Sequence, residues 1–243
     1  MPYISVLLNR KGGVGKSLIS TMLAAVYAET LGDNGEVAVV SIDPQGTTIE
    51  HAEKVRAKGR TVPFRVLDLS GQTDRLRQLR KGKASVIIVD TPGFMPLKVE
   101  DPEDESIDPL GDGTVGDSLR AILDVADDVI VPLPAEGAAF TPTMVTVERV
   151  LWPRQMPHGV LINDWDPRDG TVDRDRTISL AKKRGWDVYN TTIRHYKPHT
   201  RALANGRLCT QYESNHTSTK AKADFQELAL EHQLRRHRYA EVR

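Results

Sequence analysis

The chain carries a single cysteine, Cys209, among 243 residues. No internal disulfide can form, and the cysteine groups of zinc ribbons and iron–sulfur sites are missing. Aromatic residues make up only 5%, so Val, Ile, Leu and Ala must build most of the core. Net charge is lacking too, because 33 Lys and Arg balance 33 Asp and Glu. A neutral total still leaves room for a basic face offset by an acidic segment elsewhere. No apolar run approaches the ~20 residues that cross a bilayer, and the opening "MPYISVLLNR" is too short an apolar stretch for a signal peptide. There is no internal repeat. These absences set aside disulfide scaffolds, metal–thiolate proteins, membrane-spanning chains and secreted ones; the expectation is a cytoplasmic protein. Asn190 and Asn215 match the glycosylation pattern, which carries no weight in such a compartment.

What is present is a rhythm. Short β-branched runs recur at 3–8, 37–42, 64–69, 85–90, 128–133 and 158–163, with a weaker one at 187–193. Segments of helical spacing lie between them, at 17–31, 47–58, 72–81, 116–126, 141–152 and 171–184, and a last helix is expected over 217–240, capped by its opening hydroxyl residues. Strands without polar alternation, separated by helices, imply a mostly parallel sheet covered on both faces: an α/β doubly wound fold. The length suits a single domain over 1–243. The segment 98–117, "KVEDPEDESIDPLGDGTVGD", is acidic, rich in Pro and Gly, and without period; it is expected to be a solvated loop insertion at the edge of the site.

One stretch carries chemistry. In "LLNRKGGVGKSLIS" a strand runs into Gly12, Gly13, Val14 and Gly15, then Lys16 and Ser17, then a helix. Glycines let the backbone approach an anion and take positive φ, and the loop and helix N–H groups point at phosphates. Lys16 would reach the β/γ-phosphates, and the Ser17 hydroxyl would ligate Mg²⁺. Arg10 stands where the standard phosphate loop has its first glycine. Asn163 ends a strand in the region where such sheets line their ligand crevice. Its amide can read an adenine edge or serve as an ordinary loop cap.

The sequence "RKGGVGKS" resembles the deviant Walker A ATPases, the group that includes the ParA partition proteins and the MinD regulators. The resemblance implies that Lys11 reaches across a dimer interface to the nucleotide of the other subunit, so that two ATP molecules are shared by two chains. "VVSIDPQGTT" resembles the family's A′ motif, with Asp43 facing the γ-phosphate and Ser41 where a first aspartate is usual; "SVIIVDTPG" resembles Walker B and ends in Asp90. Ser17, Asp43 and Asp90 are then the expected Mg²⁺-side residues, and Lys11, Lys16 and Asp43 the expected catalytic ones. Leu18 falls where the family often has a hydroxyl near the α-phosphate. The segments 191–206 and 217–232 resemble the end of ParA proteins, so the likeness spans nearly the whole chain.

From residue 174 onward Lys and Arg outnumber Asp and Glu by roughly two to one. Arg194, Lys197, Arg201, Arg207, Lys220 and Lys222 are either a solvated helix face or, as the resemblance implies, a surface for sequence-independent DNA binding. The implied protein is a ParA-type ATPase with ATP and Mg²⁺ as cofactors. It would dimerise on ATP, sit on the nucleoid, answer to a ParB-like activator, and segregate a plasmid or chromosome. The first strand begins near Tyr3, leaving no room for an N-terminal helix-turn-helix. A MinD-like membrane-cycling regulator is the rival reading, although the tail offers Leu234, Tyr239 and Val242 among many charges, too thin a face for a membrane. A metabolic enzyme on the same scaffold is the other.

Overall fold

The computed structural model describes residues 1–94 and 108–242. In chain order the elements are β1 (Tyr3–Leu7), α1 (Lys16–Leu31), β2 (Val37–Ser41), α2 (Thr47–Ala57), β3 (Arg65–Asp68), α3 (Thr73–Arg77), β4 (Val86–Asp90), α4 (Gly113–Leu123), β5 (Asp128–Pro134), α5 (Gly137–Met144), β6 (His158–Trp165), α6 (Val172–Lys183), β7 (Val188–Arg194), α7 (Lys197–Thr200), α8 (Ala202–Asn205) and α9 (His216–Val242). The seven strands form one sheet in the order β3-β2-β4-β1-β5-β6-β7, and every pairing is parallel. All seven apolar runs are strands, as the spacing predicted.

The sheet is covered on both faces because its strands are apolar on both. Along β1, Ile4 and Val6 join a core with Leu76 of α3, Leu119 of α4 and Ala181 of α6. Leu7 points the other way, to Ile19 and Met22 of α1, Val55 of α2 and Phe225 of α9. Alternation along a strand sends successive side chains to opposite faces. Ser5 interrupts the second core and is satisfied there. Its hydroxyl meets His232 Nε2 at 3.2 Å, and the same ring contacts Asp128 at 2.8 Å and Tyr27 at 2.7 Å. This buried polar knot ties α9 to β1, β5 and α1.

β1 and β4 are neighbours, yet β1 connects onward to β2 and β4 to β5, on opposite sides. That reversal opens a crevice beyond the strands' carboxyl ends, the place where such sheets bind ligands.

Three expectations need adjustment. Residues 98–107 lie outside the described residues, but 113–115, expected as loop ahead of a helix over 116–126, already belong to α4. The helix expected over 141–152 starts at Gly137 and, beyond Pro142, continues from Val145 to Leu151 in wider π-helical turns; proline removes a donor from the regular ladder. The last helix is capped by Asn215, not by the hydroxyl residues after it: the Asn215 Oδ1 accepts the Ser218 N–H at 2.9 Å.

Candidate phosphate-binding site

The loop from β1 to α1 is built before any ligand arrives. Asn9 is fully buried. Its Nδ2 donates to the Pro132 carbonyl and to Thr143 Oγ1, both at 2.8 Å, while its Oδ1 accepts the Lys11 N–H at 2.9 Å. The Arg10 N–H donates to Thr146 Oγ1 at 3.0 Å, and the Arg10 carbonyl accepts the Phe94 N–H at 3.0 Å. Arg10, in place of a glycine, is therefore held through its own backbone N–H and carbonyl.

Two glycines are sterically required. Gly15 takes φ +86°, and a Cβ there would lie 2.5 Å from Asn163 Nδ2. A Cβ on Gly93 would lie 2.8 Å from the Gly12 N and Cα atoms. The loop is thus clasped between the end of β6 and the turn after β4. Asn163 is buried, and its Nδ2 donates to the Val14 carbonyl at 2.9 Å. The structure gives this amide a loop-bracing task that the adenine reading did not foresee.

The two lysines differ in place. Lys16 is buried, with Nζ folded back onto the Asn9 carbonyl at 3.1 Å and the Lys11 carbonyl at 3.0 Å. Burial pushes its pKa down to about 8, against the pull of Asp90 and Asp43. Lys11 is half-buried and points away from the loop, to Glu136 Oε2 at 3.7 Å. Glu136 directly precedes α5. An ion pair this open contributes ~0–1 kcal/mol, so it holds Lys11 loosely.

A cavity of about 610 Å³ lies over the loop, lined among others by Gly13, Lys16, Ser17, Leu18, Asp43 and Thr91. That volume is within the range of small-molecule sites. Asp43 begins a tight turn: its Oδ1 accepts the Gln45 N–H at 2.9 Å, and its carbonyl accepts the Gly46 N–H at 3.0 Å. Asp90 ends β4, fully buried. Its Oδ2 accepts the Thr48 hydroxyl at 2.6 Å, and its Oδ1 has no hydrogen-bond partner among the described residues. Burial pushes its pKa up to about 6, against the Thr48 and Ser17 hydroxyls, which favour the ionised form. Ser17 stands near the carboxylate without a hydrogen bond of good geometry. Ser17 and Asp43 line the cavity, and the buried Asp90 with its unpaired oxygen stands next to Ser17; this donor set fits a magnesium ion. That ion takes one or two carboxylates, waters and ligand phosphates in preference to a protein cage. Among the described residues no cluster of three His, Cys, Asp or Glu could hold a metal by itself.

The basic residues split into two groups. Arg194 is committed to Asp224, a buried carboxylate on α9, and stacks on Tyr196 with its guanidinium carbon 5.0 Å from the ring centre. It ties β7 to α9 and is a poor candidate for a DNA contact. Lys222 pairs with Glu29 at 3.0 Å, and Arg207 with Glu213 at 2.7 Å. Lys197, Arg201 and Lys220 are exposed. Lys197, Arg201 and Arg207 line a second cavity of about 610 Å³, together with Lys58 and Arg60 beyond α2. Sequence reasoning missed these last two because they are remote from the basic C-terminal third. It also missed Thr48, which stood inside a quoted motif, and Asn9, Thr143 and Thr146, the two threonines lying too far along the chain to be linked to the loop.

No helix among the described residues is long and apolar enough to cross a membrane. Residues 5–209 match the family described as the CobQ/CobB/MinD/ParA nucleotide binding domain. The chain is 31% identical, over 95% of its length and 94% of the relative's, to the maintenance of carboxysome distribution protein A of Gloeobacter kilaueensis. Among solved structures it is similar to the cell division ATPase MinD of Pyrococcus furiosus, with a TM-score of 0.67 and 16% identity over 96% of this chain and 99% of that one. It is also similar to an ATP complex of a Cyanothece McdA variant, with a TM-score of 0.63 and 14% identity over 94% and 96%.

Proposed function

The chain belongs to the CobQ/CobB/MinD/ParA nucleotide-binding family, and from that premise we propose that it is a ParA-type ATPase. ATP joins two copies face to face, the pair holds DNA without regard to sequence, and a partner protein on a cargo triggers hydrolysis and release. The observation that carries this reading is the separation of the two lysines. Lys16 lies over its own loop, whereas the Lys11 ammonium stands outside the phosphate cavity on an exposed glutamate. A lysine so placed serves its own nucleotide poorly and a facing subunit's well.

Within one protomer the loop N–H groups and Lys16 grip the phosphates, trading the Asn9 and Lys11 carbonyls for phosphate oxygens. Ser17, Asp43 and Asp90 are the residues that would hold Mg²⁺, which would supply neutralising charge for the phosphoryl group being transferred. Asp43, at the cavity wall, orients the attacking water. The loop's braces from Asn9, Asn163 and Gly93 keep these groups fixed, so little reorganisation is needed at the moment of reaction.

The groove that contains Lys58, Arg60, Lys197 and Arg201 supports the DNA-binding part of this reading, because its cations suit phosphates. α2 supports a link between the two sites. It runs from Thr48, bonded to Asp90, to Arg60 just beyond its end, which donates to the Asn205 and Gly206 carbonyls at 3.3 and 3.2 Å. ATP binds the dimer better than the monomer and shifts that equilibrium. The Gloeobacter relative is named for maintaining carboxysome distribution, which supports a class of cargo wider than plasmids and chromosomes.

The test is capture of the chain on long duplex of arbitrary sequence with ATP, with ADP and with no nucleotide, each at two salt concentrations. Capture with ATP alone, falling steeply with salt, is expected. Equal capture in all three states, or binding to anionic vesicles in place of DNA, would overturn the reading.

A further inference from the structure

The Walker B-like carboxylate is hydrogen-bonded by a residue with no assigned role. Thr48 is the second residue of α2, and its hydroxyl donates to Asp90 Oδ2 at 2.6 Å, with both side chains fully buried. The turn that delivers it is short and internally bonded from Asp43 to Gly46, and Gly46 takes φ +67° to start the helix. Thr48 therefore returns from the cavity wall to the end of β4 with little freedom.

Of the hydroxyls near this carboxylate, Thr48 makes the hydrogen bond of good geometry while Ser17 stands close by. In the sheet, Asp90 is flanked in register by Leu7 on β1 and Ser41 on β2. In-register residues of parallel strands share a face. Leu7 offers no polar atom. Ser41 Oγ is buried and, like Asp90 Oδ1, has no hydrogen-bond partner among the described residues. With Oδ2 held by Thr48, Oδ1 is the oxygen left without a partner among the described residues, on a carboxylate whose neighbour Ser17 lines the cavity. A serine at 41, where a second carboxylate would crowd a like charge against Asp90, keeps that side open.

We propose that Thr48 is the positioning residue for Asp90: its hydroxyl fixes the carboxylate so that Oδ1 serves the hydration shell of the nucleotide's magnesium ion. This assignment rests on the ATP–Mg²⁺ reading above. It goes beyond that reading by tying the metal side of the site to the first turn of α2, so that a single methyl-for-hydroxyl exchange separates metal-dependent from metal-independent binding.

The test uses the full chain and a fluorescent ATP analogue, titrated in EDTA and then with Mg²⁺. Thr48→Val keeps the shape and removes the donor; Thr48→Ser keeps the donor. Losing a hydrogen bond to a charged group is expected to raise the Mg²⁺ concentration for half-maximal tight binding about tenfold in Thr48→Val. Affinity in EDTA should stay within about twofold of wild type, because no phosphate contact is touched, and Thr48→Ser should restore the Mg²⁺ response. A merely structural threonine would lower both affinities together, and that result overturns the assignment. A Thr48→Val curve superimposed on wild type overturns it as well, while leaving ATP binding intact. A wild-type chain that binds no nucleotide refutes the functional reading and this one with it.

Discussion

The bracing of the phosphate loop can be tested as a two-residue lock. Gly15→Ala introduces a Cβ 2.5 Å from Asn163 Nδ2 at a residue with φ +86°. The left-handed backbone alone costs ~1–2 kcal/mol for a non-glycine residue, and the collision must push the amide off the Val14 carbonyl, a further ~1–3 kcal/mol for a buried hydrogen bond lost. The sum, ~2–5 kcal/mol, corresponds to a fall in melting temperature of about 5–15 °C for a chain of this size. Asn163→Ala should cost only the hydrogen-bond part. In the double variant the space vacated by Asn163 accepts the new methyl and the hydrogen bond is lost only once, so the total should be smaller than the sum of the singles by ~1–3 kcal/mol. Thermal unfolding of the four chains measures this coupling. Strict additivity would refute the lock. The same variants separate two roles for Asn163: a loop brace loses ATP and GTP affinity in parallel, whereas an adenine reader loses the preference between them.

Other outcomes follow from the same geometry. Lys11→Ala is expected to keep nucleotide binding but lose partner-stimulated hydrolysis, whereas Lys16→Ala loses nucleotide binding itself; filter binding and phosphate release distinguish them. Asp43→Ala should yield a long-lived ATP dimer, read as retention of doubled mass after nucleotide dilution. Arg194→Ala leaves the buried Asp224 carboxylate unpaired, a loss of ~3 kcal/mol and about 10 °C in melting temperature, while Lys197→Ala or Arg201→Ala leaves stability unchanged and lowers the salt slope of DNA binding by about one. Burial pushes the His199 pKa down to about 4, so the unfolded chain takes up a proton first as pH falls below 6.5. The stability this represents is complete above pH 6.5 and is lost on the way to pH 4, ~3 kcal/mol in all. In urea unfolding, His199→Gln should flatten that acid decline; an unchanged slope would contradict it.

The strand rhythm of this chain was legible because a parallel sheet buried on both faces writes itself as unbroken β-branched runs. The phosphate loop was legible because its requirements are local: glycines at positive φ, one lysine, one hydroxyl, all within eight residues. What escaped was long-range. Nothing near Asn9 announces that Thr143, near the end of α5, and Thr146, in the π-helical turn that continues it, will hold the loop. Nothing near Arg194 announces Asp224, and so a structural cation looked like a surface one. Lys58 and Arg60 join the basic groove only because α2 ends against α8. The start of α4 inside an acidic, glycine-rich stretch was hidden by composition. Thr48 is the instructive case: it was in view within a motif, but its importance depends on a carboxylate 42 residues away.

The central claim is that two protomers clasp their nucleotides between them, each lending Lys11 to the other. Light-scattering mass with a non-hydrolysable ATP analogue and Mg²⁺ tests it most directly. Wild type should move from the 27.0 kDa of one chain to twice that value, and Lys11→Ala, with analogue bound, should remain at the single-chain mass; a wild type that stays single, or a Lys11→Ala chain that doubles as fully as wild type, would contradict the account.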